Sequence, residues 1–124
     1  MDGDGAMDLA VANELSDSVS VLLGSGDGEF GAAASITGGA GPSAVSALDL
    51  NGDCSVDLAV ANYYMSDVSL LLNSGQGTFA SPTAYSTSAS PRVVKAVDVD
   101  ADGLPDMVTV GWYALPEDKS NLEV

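Results

Sequence analysis

The 124-residue chain carries 18 acidic side chains against three basic ones and no histidine, for a net charge of −15. That balance speaks against nucleic-acid binding, which needs clustered Lys and Arg to neutralise phosphate, and the missing histidine removes the commonest transition-metal ligand and neutral-pH acid/base. Yet 46% of the residues are hydrophobic, enough to build a core rather than leave the chain disordered.

Arg92, Lys95 and Lys119 are the whole basic inventory, so the natural complement of the chain is a cation or a basic partner. Cys54 stands alone, which rules out an internal disulfide and makes a zinc site implausible. No apolar run approaches the roughly 18 residues that span a membrane. Met1 is followed at once by Asp2-Gly3-Asp4-Gly5, with no basic and then apolar stretch of a signal peptide. The length suits one domain.

The chain repeats itself at a spacing of about 49 residues. Asp8-Leu9-Ala10-Val11-Ala12-Asn13 recurs letter for letter as Asp57-Leu58-Ala59-Val60-Ala61-Asn62. Val19-Ser20 falls on Val68-Ser69, Leu22-Leu23 on Leu71-Leu72, Phe30 on Phe79, Pro42 on Pro91 and Asp49 on Asp98. Register held across a whole period marks a tandem repeat, framed approximately as 1–48, 49–97 and 98–124 within a single domain over 1–124.

Taken along the chain, the predicted elements are short strands. Ala44 to Leu48 is a β-branched apolar run that ends at an Asp-rich loop. Val56 to Ala61 is continuous rather than alternating, as suits a strand covered on both faces. Val68 to Leu72 follows, closed by Asn73-Ser74-Gly75-Gln76-Gly77, whose glycines suit a tight hairpin. Phe79 to Tyr85 is weaker, and Pro82 marks it as an outer edge strand. Val93 to Val97 then repeats the first run. Four short antiparallel strands per period is the pattern of a propeller blade. The fold class is therefore all-β, about two and a half blades, with essentially no helix.

The acidity is concentrated between these strands. Asp98-Val99-Asp100-Ala101-Asp102-Gly103-Leu104-Pro105-Asp106 is the fullest copy of one nine-residue loop. Asp49-Leu50-Asn51-Gly52-Asp53-Cys54-Ser55-Val56-Asp57 is the second, and Asp2-Gly3-Asp4-Gly5-Ala6-Met7-Asp8 is the first without its opening position. Oxygens at positions one, three, five and nine, with a backbone carbonyl at position seven, can wrap a hard cation of calcium's size. Magnesium fits less well, since it demands octahedral geometry and keeps its waters. An EF-hand needs Glu at position twelve and flanking helices, whereas Val60 and Thr109 stand there in strands. The competing interpretation is a set of plain Asp/Asn/Gly turns. Three such loops in register, each crowding like charges, weigh for calcium; in the second loop Cys54 replaces the sixth-position glycine and Asn51 lowers the charge.

Asp-x-Asn-Gly-Asp, then Asp-Leu-Ala-Val-Ala-Asn, Val-Ser-Leu-Leu-Leu-Asn and Gly-x-Gly-Thr-Phe, closely resembles the FG-GAP/VCBS repeat of integrin-alpha-like propellers and of many bacterial surface and secreted proteins. The resemblance implies a propeller with calcium in the interstrand loops. By position, it implies ligands at Asp98, Asp100, Asp102, the Leu104 carbonyl and Asp106. In the second loop they are Asp49, Asn51, Asp53, the Ser55 carbonyl and Asp57; in the first, Asp2, Asp4, the Ala6 carbonyl and Asp8. Leu122-Glu123-Val124 looks like the start of a further strand, and the connection from Gly111 to Asn121 is about five residues longer than its counterpart. Two and a half blades cannot close a ring, so the expectation is a piece of a larger protein, with self-association the alternative.

Function follows as an expectation: a calcium-binding module for adhesion or recognition of a protein or glycan, at the cell surface or outside the cell, with any signal peptide outside this chain. The alternatives are the propeller part of a polysaccharide-active enzyme and a purely structural calcium-stapled scaffold. Catalysis is disfavoured, because there is no histidine, Cys54 sits in a loop, and calcium would occupy carboxylates otherwise suited to paired acid/base work. Tyr63-Tyr64 and Trp112-Tyr113 occupy equivalent places where the first copy has Glu14-Leu15. Those rings are candidates for stacking on a sugar or a protein partner, against packing at a blade corner.

Overall fold

The computed structural model describes residues 1–112 and the strand at 122–123; the connection 113–121, with Tyr113 and Lys119, and Val124 lie outside the described residues. Among the described residues ten strands form three antiparallel sheets. The first holds β1 (Leu9–Asn13), β2 (Ser18–Leu22) and β3 (Ala34–Thr37) in that order. The second holds β4 (Pro42–Leu48), β5 (Asp57–Asn62), β6 (Asp67–Leu71) and β7 (Thr83–Ser86), each paired with the next. The third runs β10 (Leu122–Glu123), β9 (Asp106–Trp112), β8 (Ser90–Val97). The described residues are thus all-β blades of the propeller type, with no α-helix and a single 3-10 turn at Glu14–Ser16.

Strand limits differ from the sequence reading where proline acts. Strands β4 and β8 begin at Pro42 and Ser90 and slip register at Ser43 and Arg92. Pro42 and Pro91 are tolerated because β4 and β8 are edge strands, where a missing N–H leaves no ladder bond unmade. The fourth strand starts at Thr83, after Pro82, rather than at Phe79. Phe79 instead makes an isolated bridge to Asn73 across the glycine hairpin, as Phe30 does to Gly24. Sheet boundaries at 38–41 and 87–89 fall ahead of a frame opened at the acidic loops, because the second and third of those loops each join two strands of one sheet.

The core lies between sheets. The second sheet's Leu58, Val60 and Leu71 bury against Val19 and Val21 of the first, with Phe79 and Val45 packed at the margin. On its other face, Ala59, Ala61 and Val68 bury with Val94 of the third sheet, flanked by Ala44, Leu70 and Met107. Alternation in β5 therefore serves two neighbours, and every residue of it is buried. Each large apolar side chain so covered contributes about 1.5–3 kcal/mol.

Candidate metal centre

The three acidic loops occupy equivalent places. Asp57 opens β5, Asp106 opens β9, and Asp8 immediately precedes β1. Their backbones share a conformation that needs two left-handed residues, at positions four and six. These are Gly3 (φ 84°) and Gly5 (φ 86°), Gly52 (φ 78°) and Cys54 (φ 68°), and Ala101 (φ 63°) and Gly103 (φ 87°). Cys54 thus keeps the glycine geometry instead of abolishing it. Glycine at position four of the first two copies was a readable signal for the second left-handed residue, which the sequence reading did not use.

This conformation turns successive N–H groups inward, and the side chains meet them. Asp4 Oδ1 accepts from the Ala6 N–H at 2.7 Å, Asp53 Oδ1 from Ser55 at 2.8 Å and Asp102 Oδ1 from Leu104 at 2.8 Å. One step earlier, Asp2, Asn51 and Asp100 accept from Asp4, Asp53 and Asp102 at 3.2, 3.0 and 3.1 Å. Position seven, held by Ala6, Ser55 and Leu104, therefore contributes its N–H to the aspartate two residues before it. The opening aspartates span the loop: Asp49 Oδ2 accepts from Cys54 at 2.8 Å, and Asp98 Oδ2 from Gly103 at 2.9 Å.

The closing aspartate has a role that spacing did not reveal. Asp57 Oδ2 accepts from the Leu50 N–H at 2.9 Å and Asp106 Oδ2 from Val99 at 3.0 Å, each seven residues upstream. In the first copy the amine of Met1 stands in the same register and pairs with Asp8 Oδ2. The other oxygen reaches the strand beyond: Asp57 Oδ1 takes the Asn73 N–H at 2.8 Å, and Asp8 Oδ1 that of Gly24 at 2.9 Å. Asp57 is fully buried. The ninth residue is a staple between loop and sheet before it is anything else.

The loops differ in how their carboxylates gather. In the third, oxygens of Asp98, Asp100 and Asp106 all lie within 4.8 Å of one another, while Asp102 is turned to its own loop backbone. Among the described residues this is the one such acidic group. In the second loop the Asn51 amide donates to Asp53 Oδ2 at 2.9 Å. That bond, then the Ser55 N–H, holds the Asp53 carboxyl below its ordinary value. A donor set of oxygens alone suits a hard cation, and three converging carboxylates suit a divalent one.

The FG-GAP-like repeat profile matches residues 1–60 and again residues 49–109. The chain belongs to the FG-GAP-like repeat family. No curated protein and no solved structure matches it. The two matched segments overlap at 49–60 and are offset by about one repeat. Among the described residues no helix is long and apolar enough to cross a membrane, which leaves membrane strands unaddressed.

The aromatic pair after β5 divides in two. The guanidinium of Arg92 lies 4.2 Å from the centre of the Tyr63 ring, so Tyr63 is packed between blades. Tyr64 stands edge-on to it at 5.3 Å and is 63% exposed. Trp112, at the place equivalent to Tyr63, is 48% exposed. Nearby, the buried Asn62 amide reaches Asp67 Oδ1 at 2.7 Å, Ser69 Oγ at 2.9 Å and the Gly38 carbonyl at 3.1 Å. Asn62 therefore ties the end of its blade together, a role that its recurrence at Asn13 hinted at without naming the partners.

Proposed function

We propose that the chain is a non-catalytic, calcium-stapled FG-GAP-like module that presents a recognition surface outside the cell. The observation that carries this reading is the convergence of Asp98, Asp100 and Asp106. Carboxylates that close repel unless a cation compensates them. Calcium accepts six to eight oxygens in forgiving geometry, so Asp98, Asp100 and Asp106 would hold it, joined by the Leu104 carbonyl and, once it turns from its own loop backbone, by Asp102. The second loop is the poorer holder, because Asn51 and Asp53 bond to each other. The ion's contribution is structural: it would neutralise part of a charge of −15 and fix the loop entering β9. Sites of this kind bind at about 10⁻⁴–10⁻³ M, which suits millimolar calcium outside cells.

The test is a melting curve with and without calcium. At ten times its dissociation constant, one site adds about 1.4 kcal/mol, or on the order of 5 °C for a chain of this size. Calcium should raise the melting temperature, a chelator should reverse it, and Asp100→Asn should abolish most of the shift. A melting temperature indifferent to millimolar calcium defeats the proposal.

The exposed Tyr64 and Trp112 rings support recognition of a glycan or protein face, since both offer apolar area with a polar tip. Tyr64→Ala and Trp112→Ala, compared with the parent chain on a glycan array, test the sugar half of that reading. Unchanged binding removes it.

A further inference from the structure

Asn51-Gly52 is the one Asn-Gly pair in the chain, and it fills positions three and four of the second acidic loop. The other two loops carry Asp2 and Asp100 at position three. With no Cβ to shield it, a glycine nitrogen is open to attack the side chain before it. The loop adds chemistry to that openness. The Gly52 N–H donates to Asp49 Oδ1 at 2.8 Å, which places a carboxylate where it can take that proton. Asn51 Oδ1 accepts the Asp53 N–H at 3.0 Å, folding the side chain back over the Asn51–Gly52 peptide and polarising its Cγ. Asp53 Oδ2 holds the Asn51 Nδ2 at 2.9 Å, so the amide keeps one orientation. Asn51, Gly52 and Asp53 are all exposed, and nothing lies within 4 Å of the place a Gly52 Cβ would take. Water therefore reaches the pair, and a succinimide ring has room to form.

We propose that Asn51 is a site of spontaneous modification, promoted by the loop, in which Gly52 displaces the side-chain amide. The Gly52 nitrogen bonds to Asn51 Cγ and the Cγ–Nδ2 bond breaks. The proton lost from Gly52 passes by way of Asp49 to the leaving nitrogen, which departs as ammonia. Water then opens the ring: its hydroxyl joins a ring carbonyl carbon, and its hydrogen returns to the Gly52 nitrogen. Attack at Cγ yields an aspartyl residue, and attack at the main-chain carbonyl yields the isoaspartyl linkage. The aspartyl product removes the Asn51–Asp53 amide bond and puts a carboxylate where Asp2 and Asp100 stand. The second loop then carries the same four side-chain donors as the third, and it becomes the better cation holder as the molecule ages. That consequence rests on the calcium reading above, whereas the conversion itself does not.

The experiment incubates the folded chain at neutral pH in a chelator, beside the same chain in urea, and follows peptides spanning residues 49–57 by mass spectrometry. Asn51 should show the mass shift of amide to acid, faster in the folded chain than in urea, while Asn13, Asn62 and Asn73 stay amides. Asp-Gly pairs cyclise without a change of mass, so the readout is particular to Asn51. Asp49→Asn keeps the hydrogen bond without the basicity, and it should slow conversion in the folded chain but not in urea. Slower conversion in the folded chain than in urea overturns the proposal, as does a folded Asp49→Asn chain that converts at the parent rate. If Asp49→Asn does not fold, the parent comparison decides alone. The consequence is read in the Asp100→Asn chain, where adding Asn51→Asp should restore a calcium-dependent rise in melting temperature. No restoration, when the parent chain responds to calcium, overturns the consequence. A parent that does not respond counts against the calcium reading instead, and the conversion is then judged by mass alone.

Discussion

The same six letters, Asp-Leu-Ala-Val-Ala-Asn, occur at 8–13 and 57–62 and meet different fates. Both make a strand that pairs with the next in matching register, Leu9 with Leu22 and Leu58 with Leu71. Both are fastened by their aspartate to the loop and to the strand beyond. But Leu58 and Val60 have no exposed surface, whereas Leu9 and Val11 are each 43% exposed. Local sequence therefore dictates the strand and its staple, while burial belongs to what lies next door. The sheet before β5 covers it, and among the described residues nothing covers β1 on that side.

Truncation should expose this contrast most sharply. Leu58→Ala removes a fully buried side chain from the core with Val19, Val21 and Leu71, and should cost about 2–5 kcal/mol. Leu9→Ala removes the identical side chain from a half-open face and should cost less than about 1 kcal/mol in the monomer. Urea melts of the two variants at low protein concentration give both numbers. Equal losses would break the comparison, because they would require a hidden cover over β1.

The asparagines that close the two strands sharpen it at a smaller scale. Asn62 is fully buried and bonds to Asp67, Ser69 and the Gly38 carbonyl; Asn13 is half-buried and bonds to Ser20 at 2.8 Å and Ser18 at 3.4 Å. Asn62→Ala leaves a buried Asp67 oxygen without its donor, at about 1–3 kcal/mol. Asn13→Ala strands only hydroxyls that water can reach, and should cost about half as much or less. Thermal melts of this pair settle the order.

Much of the fold was legible because the repeat carries it. Val56 to Ala61 read as a strand covered on both faces, and β5 is buried throughout. The fourth strand was misplaced because Phe79 is apolar enough to suggest a strand, while its task is to cap the hairpin and pack at the core margin. The acidic loops were visible as three copies in register. That Asp106 joins Asp98 and Asp100 while Asp102 turns away was not visible, since alternate spacing treats all four alike. Nor could spacing show that Arg92 covers Tyr63, because their sheets meet only through packing between blades.

The loops extend the comparison between copies. The second and third each place one side chain where the shared backbone is left-handed, Cys54 at position six and Ala101 at position four. The first has glycine at both, Gly3 and Gly5. A left-handed non-glycine residue costs about 1–2 kcal/mol, of which glycine returns part as unfolded-state entropy, about 0.5–1 kcal/mol. Cys54→Gly and Ala101→Gly should therefore each stabilise by roughly 0.5–1 kcal/mol, and Gly103→Ala should destabilise by a similar amount. Denaturant midpoints of the three variants, taken without calcium, give the signs. A neutral Cys54→Gly would mean that the thiol makes a compensating contact.

The smallest contrast sits in the paired hairpins Ser25-Gly26-Asp27-Gly28 and Ser74-Gly75-Gln76-Gly77, which share the same closing bond from residue one to residue five. In the first, the Ser25 hydroxyl and then the Glu29 N–H hold the Asp27 carboxyl below its ordinary value of 3.8. A carboxyl whose folded value is depressed adds stability above the unfolded value, and that stability disappears as pH falls through the folded one. The first hairpin should therefore loosen below pH 3.8 while the second, with Gln76 in that place, does not respond there. Carboxyl titration by NMR should find Asp27 below 3.8, and Ser25→Ala should return most of the shift. The group is exposed, so the effect on global stability is small and the readout belongs at the hairpin itself. If Ser25→Ala leaves the titration unmoved, the hydroxyl is not the cause, and the two hairpins are more alike than their sequences suggest.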